Sequence, residues 1–290
     1  MPFFCKIFLF LWQKIVQVQI ISYICDMKII EKNIIGKKSQ ETCEDGLVIT
    51  DDFIAVIDGS TSKTPKHLSP DMKNGRYAMT LISEYIQQEL KPDASVDDFC
   101  QGITAYISNK VYQPMGITEQ LRQHPEERLT ASAIIYSRQR KEVWMVGDCQ
   151  AIIDGRLYDN SKPYEQKIAQ QRVDLIQLGI SPAGARKCIE PLLIVAMLGG
   201  QNKTYAVIDG FPIYREGVKV VSLEKDTQEI VLASDGYPFL KPSLAESEAA
   251  LEHLIAHDPQ CIHEFIATKG LVAGNKSFDD RTYVRFVLVK

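Results

Sequence analysis

Phe53-Ile-Ala-Val-Ile-Asp58-Gly59-Ser60 is the stretch on which the fold turns. Five apolar residues run directly into an acid and a glycine. The bulky and β-branched side chains read as a buried strand. Aspartate is disfavoured inside strands, so Asp58 marks the strand end. A carboxylate there must be hydrogen-bonded, ion-paired or metal-bound, because an isolated buried charge is too costly. The pattern returns in Glu229-Ile-Val-Leu-Ala-Ser-Asp235-Gly236. Two such units can bring two carboxylates to one rim of a sheet.

Working outward, Leu47-Val-Ile-Thr50 precedes the opening stretch, and Asp51-Asp52 signals a turn between them. The two runs read as a hairpin. Antiparallel pairing places the start of one strand beside the end of the other, so Asp45 and Asp58 are expected to be neighbours. Upstream, residues 28–35 read as a strand. Downstream, 76–90 and a segment capped by Ser95 read as amphipathic helices, with Asp97 and Asp98 in the second one's first turn. Residues 115–129 read as a polar loop. A meander of strands follows, over 130–136, 142–146, 150–153 and 156–158. A helix is expected over 163–178, closed by Gly179. The pattern over 180–203 assigns no element. Further strands are expected at 205–208, 218–222, 230–233 and 282–289, and helices at 244–256 and 261–269. Strands and helices come in blocks rather than in strict alternation, which indicates an α+β fold.

The chain has 290 residues, 45% hydrophobic and 24% charged, with a formal net charge of −4. These values fit one globular domain over residues 27–290. There is no basic run of the kind that binds phosphate backbones, so nucleic acid is not an expected partner. Seven cysteines, an odd number with no CxxC pair, indicate reduced thiols and a cytoplasmic protein. Residues 1–26 are apolar but broken by Lys6, Gln13, Lys14, Gln17 and Gln19. That makes a poor membrane span, and the segment reads as an N-terminal extension outside the fold.

Acids gather at the predicted strand ends: Glu44, Asp45, Asp58, Asp148, Asp235, Asp279 and Asp280. Converging carboxylates repel one another unless cations neutralise them. All-oxygen donor sets select Mg²⁺ or Mn²⁺ over zinc. Two such ions, about 3.5–4 Å apart, can activate water toward phosphorus. Asp154-Gly155 and Asp209-Gly210 read as ordinary turns.

Glu44-Asp45-Gly46, Val56-Ile-Asp58-Gly59, Thr130-Ala-Ser-Ala, Met145-Val-Gly147-Asp148-Cys149, Leu232-Ala-Ser-Asp235-Gly236 and Ser277-Phe-Asp279-Asp280-Arg-Thr282 occur in that order. Their order resembles that of the metal-dependent protein phosphatase (PPM, type 2C) family, over about residues 28–289. The resemblance implies a four-layer α/β/β/α sandwich of two antiparallel sheets flanked by helical pairs, with a dinuclear Mn²⁺ or Mg²⁺ centre between the sheets. It implies that Asp58 bridges both ions and that the Gly59 carbonyl contacts one. Asp45 would bind directly or through water, assisted by Glu44, and Asp235 and Asp279 would hold the second ion. Asp148 matches the position of a third, weaker metal. The implied activity is hydrolysis of phosphoserine or phosphothreonine in a phosphorylated protein, with Asp58 and Asp235 the essential catalytic carboxylates. The alternative is a phosphatase-fold binding or regulatory module. The same site could also take a small phosphorylated molecule.

The chain departs from the family pattern at three points. Ser60 stands where a His or Met is usual, Gln40 where a phosphate-binding Arg is usual, and Asp280 where Asn is usual. Lys37, Lys38 and Lys63 are candidate replacements for the Arg, and His67 is a candidate to approach the site.

Overall fold

The computed structural model describes residues 27–61 and 64–289. The expected extension over 1–26 and Lys63 lie outside the described residues. Among the described residues ten strands form two five-stranded antiparallel sheets. The first has the order β2 (Asp45–Ile49), β3 (Phe53–Gly59), β4 (Ala131–Ser137), β5 (Glu142–Val146), β8 (Val218–Ser222). The second has the order β1 (Met27–Ile35), β10 (Arg281–Leu288), β9 (Glu229–Ala233), β6 (Gln150–Ile153), β7 (Arg156–Tyr158).

The unbroken apolar run of β3 follows from its place in the layers. Phe53, Ala55 and Ile57 pack outward, against helices α1 (Asn74–Gln88) and α2 (Val96–Ile107). Ile54 and Val56 pack inward, against Ile230, Leu232, Val284 and Phe286 of the second sheet. A strand covered on both faces has no reason to alternate polar and apolar residues. Trp144 anchors the outer layer, fully buried with ring centroids 6.1 Å from both Phe53 and Phe99. Helix α2 begins as expected: Ser95 accepts from Asp98 N–H while the Asp98 carboxylate accepts from Ser95 N–H.

On the far side, α6 (Leu244–His257) covers the second sheet through Leu244, beside Tyr237, Leu240 and Tyr283. The helix expected at 261–269 does not form. Cys261 has φ of 52°. The amides of Ile262, His263, Glu264 and Phe265 all donate to the Asp258 carboxylate, so they are not available to a helix.

The unassigned 180–203 region holds α5 (Pro182–Gly200), capped by Ser181 Oγ accepting from Gly184 N–H. It packs on α4 (Glu165–Gln177). Pro191, Gly184, Gly199 and Gly200 lie within it and hide it from a propensity reading. Residues 205–208 form two isolated bridges, Tyr205 to Gln201 and Ile208 to Ala131, rather than a strand. The loop expected at 115–129 contains the short helix α3 (Thr118–Gln123). Among the described residues no helix is long and apolar enough to cross a membrane. The five described cysteines are free.

Candidate metal centre

The β2–β3 register pairs Asp45 directly with Asp58, and the β3–β4 register pairs Asp58 with Ser132. Side chains alternate along a strand, so Asp58 shares the inward face of Ile54 and Val56. Three ends of the second sheet meet the same rim. Asp235 follows β9, Asp279 and Asp280 precede β10, and Asp148 lies in the crossing from β5 to β6. That crossing requires Gly147, whose φ is +94° and whose added Cβ would lie 2.2 Å from Ser132 Oγ.

The hairpin is pressed against the start of α1. A Cβ on Gly59 would lie 2.2 Å from the Gly75 carbonyl oxygen, and one on Gly75 would lie 2.6 Å from Glu44 Oε1. Only glycine at both positions lets the helix start sit on the end of β3 and face Glu44. Glu44 is 1% exposed; its Oε2 accepts from Thr61 Oγ1 at 2.7 Å, and its Oε1 is buried without a partner.

Asp45 is the most exceptional group. It is 4% exposed, and both carboxylate oxygens are buried without a hydrogen bond. The Ser234 hydroxyl, which accepts from Thr282 N–H, lies near enough to moderate the charge but makes no hydrogen bond to either oxygen. Burial, with repulsion from Asp279, Asp280 and Asp235, pushes the Asp45 carboxyl up to about 8. Burial together with Asp235, Asp45 and Asp148 pushes half-buried Asp58 well up. The surrounding protein, with Asp148 and Asp279, pushes Asp235 up to about 7. Asp235 reaches solvent on the wall of the rim, so water tempers its rise; Asp45 has no such relief.

The outer carboxylates are treated differently. Burial raises Asp148, but the Lys162 ammonium and the Ser132 hydroxyl outweigh it, and Asp148 ends below its ordinary value. Asp279 is likewise held low by Lys269 and Lys37 against burial. Lys37 Nζ lies 2.7 Å from Asp279 Oδ1, and Lys269 donates to Oδ2. Among the described residues, no group of three or more acids, histidines or cysteines stands in a ready-made metal-binding arrangement. The acids nevertheless share one rim, and each of Asp45, Asp58 and Asp235 is close enough to other members of the set to raise its pKa.

Asp280 has a structural task that sequence reasoning missed. Its Oδ1 accepts from Lys37 N–H at 2.7 Å and its Oδ2 from Glu44 N–H at 3.0 Å. It ties the end of β1 and the start of β2 to β10, and the Asp-Asp doublet before β10 was the available signal. Asp209, expected to be only a turn acid, is fully buried. It binds Arg128 Nη1 at 2.9 Å and also Gln201, Asn202 and Phe211 N–H. Lys162 was likewise not legible, because nothing near it in sequence marks it. Lys38 and His67 are exposed, and Gln40 Oε1 accepts from Gly36 N–H. His67, Lys73 and Arg76 line a separate cavity of about 270 Å³, and Arg76 Nη1 donates to Cys43 O at 2.5 Å.

No protein-family model matches the chain, and no curated protein matches it. Among solved structures it is similar to the serine/threonine phosphatase PstP/Ppp of Mycobacterium tuberculosis, with 16% identity and a TM-score of 0.44 over 91% of this chain and 99% of that one. It is similar to the catalytic domain of PstP with two manganese ions, at 15% identity and a TM-score of 0.46 over 91% and 99%. A third is the PPM Ser-Thr phosphatase MsPP from Mycobacterium smegmatis, at 17% identity and a TM-score of 0.43 over 90% and 97%. Identity this low leaves the site to be read from this chain's own residues.

Proposed function

We propose that the chain is a metal-dependent phosphatase that hydrolyses phosphoserine or phosphothreonine in a protein substrate, using Mn²⁺ or Mg²⁺. The observation that carries this reading is Asp45. A buried carboxylate with two unpartnered oxygens, beside Asp58 and Asp235, is an unfavourable arrangement unless a cation completes it. The donors fit a hard divalent cation: they are carboxylate oxygens, with no histidine or thiolate among them. Asp45, Asp58 and Asp235 would hold the ions, with Asp279, the Gly59 carbonyl and Glu44 contributing. When bound, the ions would supply the Lewis-acid charge for transfer of a phosphoryl group to water. The protein's own part is orientation. The hairpin sets Asp45 opposite Asp58, the Asp280 clasp fixes Glu44 relative to β10, and Gly59–Gly75 contact holds the hairpin against α1.

The test is p-nitrophenyl phosphate hydrolysis with Mn²⁺, expected to proceed and to stop on addition of EDTA. The lysine contacts on Asp279 and Asp148 favour a second reading, a phosphatase-fold binding module. A folded protein with no turnover under any divalent cation would establish that second reading and remove the first.

A further inference from the structure

Lys162 lies in the segment between β7 and α4, 14 positions beyond Asp148 and outside every motif that carries an acid of the rim. Its side chain is 15% exposed and donates to Asp148 Oδ2. Asp148 Oδ1 accepts from Ser132 Oγ at 2.5 Å. Both oxygens of Asp148, whose side chain is 6% exposed, are therefore engaged by this chain's own groups. The segment is fixed there independently: Asn160 Nδ2 donates to Gly147 O and to Gly217 O, each at 3.0 Å. The next carboxylate, Glu165 Oε1, is 3.9 Å from Lys162 Nζ, beyond hydrogen-bond range. An ammonium has three N–H donors, and among the described residues the structure engages one, on Asp148. The same charge acts on Asp235. Lys162 is thus a held cation on a rim of acids, with donors to spare.

We propose that Asp148 holds Lys162 in place of a metal ion, and that the Lys162 ammonium contacts the phosphoryl oxygens of the substrate. The proposal rests on the phosphatase reading above for its substrate, but not for the anion contact itself. A phosphate dianion approaching a rim of carboxylates needs fixed positive charge beyond what those acids hold, and Lys162 supplies it beside Asp148, which Ser132 of β4 links to the strand carrying Asp58. Asp148 then serves as the anchor that aims the ammonium.

Two measurements test this. Inorganic phosphate is titrated calorimetrically, with Mg²⁺ present, into the wild-type, Lys162→Met and Lys162→Arg proteins. Mg²⁺ bound per chain is counted by equilibrium dialysis for the wild type and Asp148→Asn. Lys162→Met is expected to weaken phosphate about tenfold, the scale of one charged hydrogen bond, and Lys162→Arg to restore most of it. Asp148→Asn is expected to bind as many Mg²⁺ ions as the wild type. A lower count in Asp148→Asn would show that Asp148 is a metal ligand and overturn the proposal. So would unchanged phosphate affinity in Lys162→Met, or no phosphate binding by the wild type. Should Lys162→Met fail to fold, loss of phosphate binding in a folded Lys162→Arg protein would count equally against it. A wild type that binds phosphate through Lys162 yet hydrolyses no phosphomonoester would remove the phosphatase reading and leave this contact standing.

Discussion

Two groups of aspartates share one rim and live in opposite electrostatic worlds. Among the described residues Asp45, Asp58 and Asp235 have no direct ion pair, and they are pushed upward by the surrounding protein and by neighbouring carboxylates. Asp148 and Asp279 are clamped by Lys162, Lys37 and Lys269 and pulled downward despite burial. Residue type and strand-end position are the same in both groups. The difference lies in which loops deliver lysines, and it separates acids with no ion pair among the described residues from acids held by this chain's own lysines.

The comparison breaks first at the inner group. Asp58→Asn or Asp235→Asn is expected to lower Mn²⁺-dependent p-nitrophenyl phosphate turnover roughly a thousandfold, several kcal/mol of lost charge stabilisation, with the circular dichroism spectrum unchanged. Near-wild-type rates in either variant would end the ligand assignment.

Next comes pH. A carboxyl raised in the folded state keeps its proton when the unfolded chain has released it. For Asp45 the contribution to stability is fully present below its ordinary value of 3.8 and is lost as pH rises toward about 8. The outer pair works in the other direction, since its stabilisation is present above the ordinary carboxylate range and lost in acid. In EDTA the inner group is expected to make the melting temperature fall between pH 5 and pH 8, and Mg²⁺ to restore it at pH 8. Asp45→Asn should flatten that decline. A melting temperature that is flat in EDTA and indifferent to Mg²⁺ would mean that the inner acids carry no strain for a cation to relieve.

The hairpin seat gives a smaller effect. Gly75→Ala forces a methyl group against Glu44 Oε1 and the Ser60 carbonyl, each 2.6 Å from the added Cβ. We expect a loss of about 1–3 kcal/mol in urea unfolding. Gly199→Ala, which meets nothing within 4 Å, is the control and should be neutral or slightly stabilising. The smallest effect is expected at the outer rim. Asp279 is 26% and Lys269 39% exposed at the side chain, so Lys269→Ala should cost no more than about 1 kcal/mol. A larger loss would mean that the outer pair is as strained as the inner one.

Much of this was legible in the chain because it is local. The β2–β3 hairpin, and with it the Asp45–Asp58 pairing, follows from two apolar runs and a short turn. The Ser95 cap and the two helices over the first sheet follow from spacing. Local signals misled where a side chain captured the backbone. Residues 261–269 have a helical pattern, but Asp258 takes their amides. Helix α5 was hidden by Pro191 and its glycines, whose unfavourable propensity is offset by packing on α4. Asp209 looked like a turn acid because Arg128, its counter-charge, is 81 positions away.

By itself the sequence determined which residues are strand ends and that those ends are acidic, since strand period, turn chemistry and helix caps act over a few residues. It could not determine which acids are left without a counter-charge. That depended on Lys37 reaching Asp279 across 242 positions, and on Lys162 and Lys269 meeting Asp148 and Asp279. Such pairs are set by how two sheets and their connecting loops close on one another, and Coulomb energy depends on those final distances rather than on order along the chain.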